Sequence, residues 1–166
     1  MNKELIPQVK DEVDRLAAKG SAPEQLMTAI TELLNLKMLK YNWVGFYMLD
    51  ESGKEPILEL GPFVGSMTPH TRIPLNQGIC GAAASTGQTV VVDDVHNDPR
   101  YLACSIETKS EIVVPVFVNG KVVGELDIDS HYPAAFTPTD RDLVEHCAKV
   151  VGKFIEKSGQ SYRAKA

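Results

Sequence analysis

The chain has 166 residues, a formal net charge of −5 and hydrophobic residues at 43% of its positions, enough apolar content for the core of one domain. The acidic balance argues against nucleic acid and an anionic membrane surface as partners. The N-terminus lacks the apolar segment of a secretion signal, and no stretch approaches the ~20 apolar residues of a membrane span. We therefore expect a single domain over residues 1–166, located in the cytoplasm, where thiols rest reduced.

Two helices are predicted near the N-terminus, within about residues 3–38. The first, over residues 3–18, carries apolar residues at helical spacing and ends at Gly20. The second begins near Ser21, which can cap it, and Glu24 follows three residues later, as in a capping box.

The middle of the chain, about residues 41–136, predicts a sheet with a pocket. The predicted strands cover residues 42–49, 56–60, 88–92, 111–118 and 121–128, with at most a short strand at 71–73 inside a long loop over 61–77. Asn119 and Gly120 form a hairpin turn between the last two strands, and a short helix is predicted over residues 78–85. Strands joined by hairpins favour an antiparallel sheet covered by helices on one face, an α+β fold.

A final helix is predicted over about residues 138–157. Thr137 caps it, and Pro138 occupies the first turn. Cys147 lies on its apolar stripe, which is typical of an inert core cysteine.

Cys80 and Cys104 are the most informative residues of the sequence. In a chain without a secretion signal, such a pair indicates redox or metal chemistry before a structural disulfide. Cys104 lies in a polar segment near Arg100 and Lys109, and cations stabilise a thiolate; the alternative is an ordinary loop cysteine. Cys80 lies near the start of the short helix, whose N-terminus favours a thiolate; the alternative is a small packed residue. No close pair of ligands supports a zinc site, so no metal is predicted.

Three acids and two aromatic residues could build a binding pocket. Asp127 and Asp129 share one face of a strand, and Glu111 opens the preceding strand of the same hairpin. These acids could bind an ammonium group, hold a metal or be solvated at a strand end. Trp43 and Tyr47 also share a face and could wall a small pocket or pack in the core. Phosphate-binding glycine loops and the G-x-S-x-G elbow are absent from the sequence.

Seven short motifs together identify a family. They are NWVGFY at 42–47, LGPF at 60–63, RIP at 72–74, GICG at 78–81, DVH at 94–96, SEIVVP at 110–115 and LDIDS at 126–130. With this ordered set, the chain resembles the free methionine-(R)-sulfoxide reductases, which are stand-alone GAF domains, over about residues 42–154. The resemblance implies a GAF fold with a closed pocket for free methionine sulfoxide.

The resemblance also implies a reaction without a cofactor. The cysteine matching Cys104 attacks the sulfoxide sulfur, so that methionine leaves and a sulfenic acid remains. Cys80 then condenses with it to a disulfide, which thioredoxin reduces. The matching pocket residues, which would contact the substrate or form the aromatic wall, are Glu111, Asp127, Asp129, Trp43 and Tyr47.

One departure from the family concerns the third cysteine that many members carry just before the RIP motif. His70 stands near that place here, so Cys80 must resolve directly or an external thiol must act. The alternatives to the reductase are a non-catalytic GAF sensor of a small ligand and a thiol peroxidase or general redox sensor. GAF domains often dimerise through helices, which makes the amphipathic first helix a candidate homodimer surface.

Overall fold

A computed structural model describes residues 4–20, 22–102 and 105–159 of the chain. The helices are α1 (Leu5–Lys19), α2 (Pro23–Lys37), α3 (Gly78–Thr86) and α4 (Pro138–Ser158), with a 3₁₀ turn at Val95–Asn97. The strands are β1 (Trp43–Asp50), β2 (Ile57–Val64), β3 (Arg72–Pro74), β4 (Val90–Val92), β5 (Ser110–Val118) and β6 (Lys121–Ser130). Two sequence predictions, the cap at Ser21 and the reactive Cys104, lie outside the described residues.

The six strands form one sheet in the order β3-β2-β1-β6-β5-β4, and every neighbouring pair is antiparallel. The predicted α+β class with an antiparallel sheet is therefore confirmed. The two central strands, β1 and β6, are far apart in sequence and pair along most of their length. Residues from both halves of the chain thus meet at the middle of the sheet.

The two faces of the sheet differ because alternate side chains point to opposite sides of a strand. We call the face that packs against α1, α2 and α4 the core face; its strand residues include Val44, Phe46, Met48, Ile112, Val114, Leu126 and Ile128. We call the opposite face the pocket face; its central residues are Trp43, Gly45, Tyr47, Glu111, Val113, Glu125, Asp127 and Asp129. Helix α3 contributes Ile79, Cys80 and Ala83 to the apolar cluster on the pocket face.

The long loop predicted over residues 61–77 is wrong in its first part, because β2 continues to Val64. Its residues pair with β1 on both sides of an irregularity: Leu60 lies opposite Tyr47, and Phe63 lies opposite Gly45. The proline in this stretch signalled a loop, but a bulge accommodates a residue that has no N–H to donate. The register shift at Pro62 therefore keeps the strand intact.

The C-terminal helix begins as the sequence predicts. The Thr137 side chain accepts a hydrogen bond from the Asp140 backbone, and the Asp140 side chain accepts one from the Thr137 backbone, a complete capping box. Cys147 is buried among apolar side chains, and burial raises the pKa of its thiol to about 12. Among the described residues, no helix is long and apolar enough to cross a membrane.

Candidate functional site

The predicted acids meet at the centre of the pocket face. Glu111 on β5 lies directly opposite Asp129 on β6, and Asp127 is two residues earlier on the same strand. They are only 4–5% exposed, although Asp129 is one residue from the end of β6 at Ser130. The alternative of solvated acids at a strand end is therefore wrong.

Burial changes the acid–base behaviour of this cluster. It is the main cause that raises the pKa of Glu111, and the negative charges of Asp127 and Asp129 raise it further. Burial also raises the pKa of Asp129 and Asp127, partly offset by hydrogen bonds from Glu111. Three carboxyl groups this close in a low dielectric do not all ionise. Burial and mutual repulsion therefore both favour a protonated carboxyl in this cluster.

Cys80 reaches the acids from α3. Its thiol donates a hydrogen bond to Oδ2 of Asp127, with the sulfur and oxygen 3.4 Å apart. The pKa of the thiol is raised, first by burial and then by the charges of Asp127, Glu125 and Glu111. Burial among acids thus opposes the thiolate that the helix N-terminus would favour, and it agrees with the alternative of a small packed residue.

The same atoms are close enough to share a cation. Ligand atoms of Cys80, Glu111 and Asp127 lie within 4.8 Å of one another. Sequence spacing gave no sign of this grouping, since the three residues come from three separate elements. The predicted absence of a metal therefore stays a prediction.

The aromatic residues line the pocket face as expected from their spacing. The rings of Trp43 and Tyr47 stack with centroids 6.2 Å apart, and the rings of Trp43 and Phe63 stack at 5.6 Å. Trp43 Nε1 donates to the carbonyl of Ser66 at 3.0 Å, and the Tyr47 hydroxyl donates to the carbonyl of His70 at 2.7 Å. Both polar atoms are thereby fixed to the loop that follows β2.

Two glycines make room for the indole ring. A Cβ on Gly45 would lie 2.4 Å from Cη2 of Trp43, and a Cβ on Gly65 would lie 2.5 Å from Cδ1. Gly65 also has a φ of 134°, which side-chain-bearing residues rarely adopt. The tryptophan ring therefore lies flat against backbone, and only glycine permits this.

A cleft of about 380 Å³ leads from the surface to Trp43 and Asp129. Ser105 and Thr108, from the segment that precedes β5, line it. On the other side of Cys104, the Leu102 side chain packs against Gly78 at the start of α3. The described neighbours of Cys104 in sequence thus border the cleft and α3.

Sequence reasoning missed one residue of the site. Glu125 lies on the pocket face opposite Tyr47 and is fully buried, and its charge helps to raise the pKa of the Cys80 thiol. It precedes Asp127 and Asp129 at the same two-residue interval, so strand alternation contained the signal. It was overlooked because the acids were expected only at the end of the strand.

Comparison with known proteins identifies the family. The GAF domain family matches residues 22–155. The free methionine-R-sulfoxide reductase of Escherichia coli is 34% identical over 156 residues, which cover 91% of this chain and 92% of that protein. The chain belongs to the GAF domain family and, within it, to the free methionine-R-sulfoxide reductases.

Two further free methionine-R-sulfoxide reductases support this assignment. The yeast enzyme of that name, from Saccharomyces cerevisiae, is 44% identical over 113 residues, or 68% of this chain and 62% of that protein. The crystal structure of the Neisseria meningitidis enzyme in complex with its substrate has a TM-score of 0.87 and 34% identity, covering 95% of this chain and 93% of that one. The predicted GAF fold, family and oxidoreductase class are therefore confirmed.

Proposed function

We propose that this protein reduces free L-methionine-(R)-sulfoxide to methionine by thiol chemistry on the pocket face of the sheet. The observation that carries the proposal is the buried cluster of Glu111, Asp127 and Asp129 against the wall of Trp43 and Tyr47. An amino acid with an ammonium group and a polar sulfoxide matches such a pocket in size and charge.

The acids would serve the two polar ends of the substrate in different protonation states. Oδ1 of Asp127 and Oδ1 of Asp129 are buried and have no hydrogen-bond partner among the described residues. An ionised carboxylate there would bind the substrate ammonium, since buried charges require a partner. A neighbouring carboxyl that keeps its proton would donate it to the sulfoxide oxygen as a general acid.

Cys104 would be the nucleophile. Its thiolate would attack the sulfoxide sulfur, methionine would leave, and the oxygen would remain on Cys104 as a sulfenic acid. The support for this role is the family resemblance together with its described neighbours, Ser105 in the lining of the cleft and Leu102 against α3.

Cys80 would then resolve the sulfenic acid as a disulfide with Cys104, and thioredoxin would reduce that disulfide. Cys80 is buried beside the acids, and His70 occupies the neighbourhood of the third cysteine found in many family members. Direct resolution by Cys80 is therefore the simplest route. A thioredoxin-dependent cycle fits a reducing compartment such as the cytoplasm.

The oligomeric state stays a prediction. The apolar face of α1 packs inside the same chain, with Ile6, Val9 and Val13 buried. Its amphipathic pattern is thus explained without a second subunit, which removes the main sequence argument for a homodimer through this helix.

The test is thioredoxin-coupled NADPH oxidation with the (R) and (S) epimers of free methionine sulfoxide. Turnover confined to the (R) epimer and lost in Cys104→Ser is the expected result. Tight binding of a small ligand without turnover would contradict the proposal and favour the sensor. Equal reactivity with hydrogen peroxide would favour a thiol peroxidase instead.

A substitution of Asp129 tests the role of the acids. Asp129→Asn should lower kcat/KM about 100-fold, because loss of a charge-assisted contact costs about 2–3 kcal/mol. Glu107→Gln is the matched control, since the Glu107 side chain is 67% exposed and forms an ion pair with His131 near the same cleft. Equal kcat/KM values in the two variants would remove Asp129 from the substrate site.

A further inference from the structure

Three side chains on the pocket face come from separate elements and converge on one point. Cys80 on α3, Glu111 on β5 and Asp127 on β6 each offer one ligand atom, and these atoms lie within 4.8 Å of one another. All three residues are buried, with exposures of only 4–6%. A site built on a helix and two paired strands is held more precisely than one built on loops. A thiol and two carboxyl groups in this arrangement can share one metal ion.

The distance between the sulfur of Cys80 and Oδ2 of Asp127 suits two ligands of the same ion. These two atoms are 3.4 Å apart. Zinc binds sulfur at about 2.3 Å and carboxylate oxygen at about 2.0–2.2 Å, so tetrahedral geometry separates two such ligands by about 3.5 Å. A zinc ion can therefore replace the proton between these atoms with little movement of either side chain.

Unpartnered oxygens in the same cluster give an independent reason to expect a cation. Oδ1 of Asp127 and Oδ1 of Asp129 are buried and have no hydrogen-bond partner among the described residues. None of the ion pairs between described residues includes Glu111, Asp127 or Asp129. Buried carboxylates are normally paired with a positive charge or coordinate a metal. Within the described part of the chain, no ion pair supplies that charge to the cluster.

The identity of the ligand atoms favours one class of metal. The ammonium group of the proposed substrate would pair with carboxylates, but it does not require a sulfur ligand. Zn²⁺ binds both cysteine sulfur and carboxylate oxygen, whereas Mg²⁺ and Ca²⁺ bind oxygen ligands. Three protein ligands also leave a fourth position, as in zinc sites that accept a water molecule. One sulfur and two oxygens therefore favour zinc over the hard divalent cations.

Protons compete with a metal for these ligand atoms. Burial raises the pKa of Glu111 and of the Cys80 thiol, and the charges of neighbouring acids raise both further. A dication has the opposite effect, because its charge stabilises a thiolate and carboxylates directly. Metal binding at such a site therefore releases protons to the solvent.

We propose that Cys80, Glu111 and Asp127 form a Zn²⁺ site in the reduced protein and that the bound ion blocks the pocket. When zinc binds, the S–H bond of Cys80 breaks, a sulfur–zinc bond forms and the proton passes to water, with no change in oxidation state. The ion covers the resolving thiol and two of the substrate-binding acids. Its binding does not depend on the proposed function, whereas its effect as an inhibitor rests on that function. Such a site differs from the absence of a metal that ligand spacing along the sequence predicts.

Metal binding is tested on reduced, metal-free protein in which Cys104→Ser removes a second thiol. Zn²⁺ is titrated in competition with a chromophoric chelator, and Co²⁺ serves as a spectroscopic substitute that shows a charge-transfer band when a thiolate binds it. We expect one equivalent of metal and this band. Adding Cys80→Ala should abolish the band and weaken zinc binding at least about 100-fold, since even residues behind the ligands contribute about 10–100-fold to affinity. Should Cys80→Ala not fold, Cys80→Ser replaces it with the same expectation.

Matched variants show whether the named ligands are responsible. Cys147→Ala removes a buried cysteine outside the cluster and should keep both the band and the affinity. Glu111→Gln should weaken zinc binding about 100-fold, whereas Glu107→Gln, at an exposed acid, should leave it unchanged. A large excess of Mg²⁺ should not displace zinc. Failure to bind zinc, or a band that survives in Cys80→Ala, would overturn the proposal.

A competition experiment separates failure of this inference from failure of the proposed function. Free methionine-(R)-sulfoxide at about ten times its own Kd should weaken Co²⁺ binding to the Cys104→Ser protein about tenfold, because substrate and metal use the same acids. Unchanged Co²⁺ affinity would overturn the blocking role. If unmodified protein with EDTA releases no methionine from the sulfoxide, the proposed function fails. The zinc site is then still decided by the cobalt band and its loss in Cys80→Ala.

Discussion

The core face and the pocket face use the same strands for opposite purposes. Along β6, Leu126 and Ile128 bury apolar side chains under the helices, while the alternate positions bury acids. Both sets are almost fully excluded from water. The core face gains stability from this burial, whereas the pocket face loses stability by holding carboxyl groups away from water. The acids therefore cost stability unless a bound group pairs with them.

The largest expected effect comes from placing an acid on the wrong face. Leu126→Asp should destabilise the protein by more than about 4 kcal/mol, because a new buried charge has no partner among the core side chains. Urea unfolding monitored by circular dichroism measures it. The control is Leu36→Asp on α2, where the leucine is 73% exposed and a change below about 0.5 kcal/mol is expected. Similar losses in both variants would contradict the distinction between buried faces and surface.

A smaller loss of stability is expected at Gly45, where the absence of a side chain leaves room for the Trp43 ring. Gly45→Ala would bring a Cβ to 2.4 Å from the Trp43 ring, and such overpacking costs about 1–3 kcal/mol. Its KM for the sulfoxide should also rise, because the displaced ring is part of the pocket wall. Gly53→Ala provides the control, since its nearest contact is 4.0 Å away. Equal stability and equal KM in both variants would show that the ring moves without cost.

Cys147 and Cys80, the two described cysteines, give a further test of the difference between the two faces of the sheet. Cys147→Ala, on α4 in the core beneath the core face, should cost about 1 kcal/mol through the small cavity it leaves and should keep thioredoxin-coupled turnover. Cys80→Ser on the pocket face should lose that turnover with little change in stability. Loss of turnover in Cys147→Ala, measured with the same coupled assay, would place Cys147 in the redox cycle.

The smallest expected effect is a gain in stability when Glu125 is replaced by glutamine. The pKa of Glu125 is raised, mainly by burial and also by the charge of Asp127, so the folded state binds its proton more tightly than the unfolded state. Its contribution to stability is fully present below the unfolded pKa of about 4.3 and is lost as pH rises towards the folded pKa. Glu125→Gln should therefore exceed unmodified protein by up to about 1 kcal/mol at pH 8, with less gain at pH 4.5. A gain that does not grow with pH would contradict the burial of an ionisable group.

Much of the fold could be predicted from local pattern. The hairpin at Asn119–Gly120 and the cap at Thr137 follow from side-chain chemistry that acts within a few residues. The extension of β2 could not be predicted, because Pro62 is tolerated only through a bulge that depends on pairing with β1. Local signals do not report which partner strand is present.

The candidate site also has some features that could be predicted from the sequence and others that could not. Strand alternation correctly predicts that Asp127 and Asp129 share a face and that Trp43 and Tyr47 do so. The raised pKa of the Cys80 thiol could not be predicted, since it depends on burial and on the charges of acids from two other elements. The roles of Cys104 and Cys80 stay predictions, and Cys104 lies outside the described residues.

Trp43 has a consequence for how the pocket can be observed. It is the single tryptophan of the sequence, and its indole N–H is bonded to the Ser66 carbonyl at the margin of the cleft. A proton–nitrogen correlation spectrum will therefore contain one indole resonance, and that resonance originates at the site. Its chemical shift and its solvent exchange rate can report occupancy and opening of the cleft without any attached label.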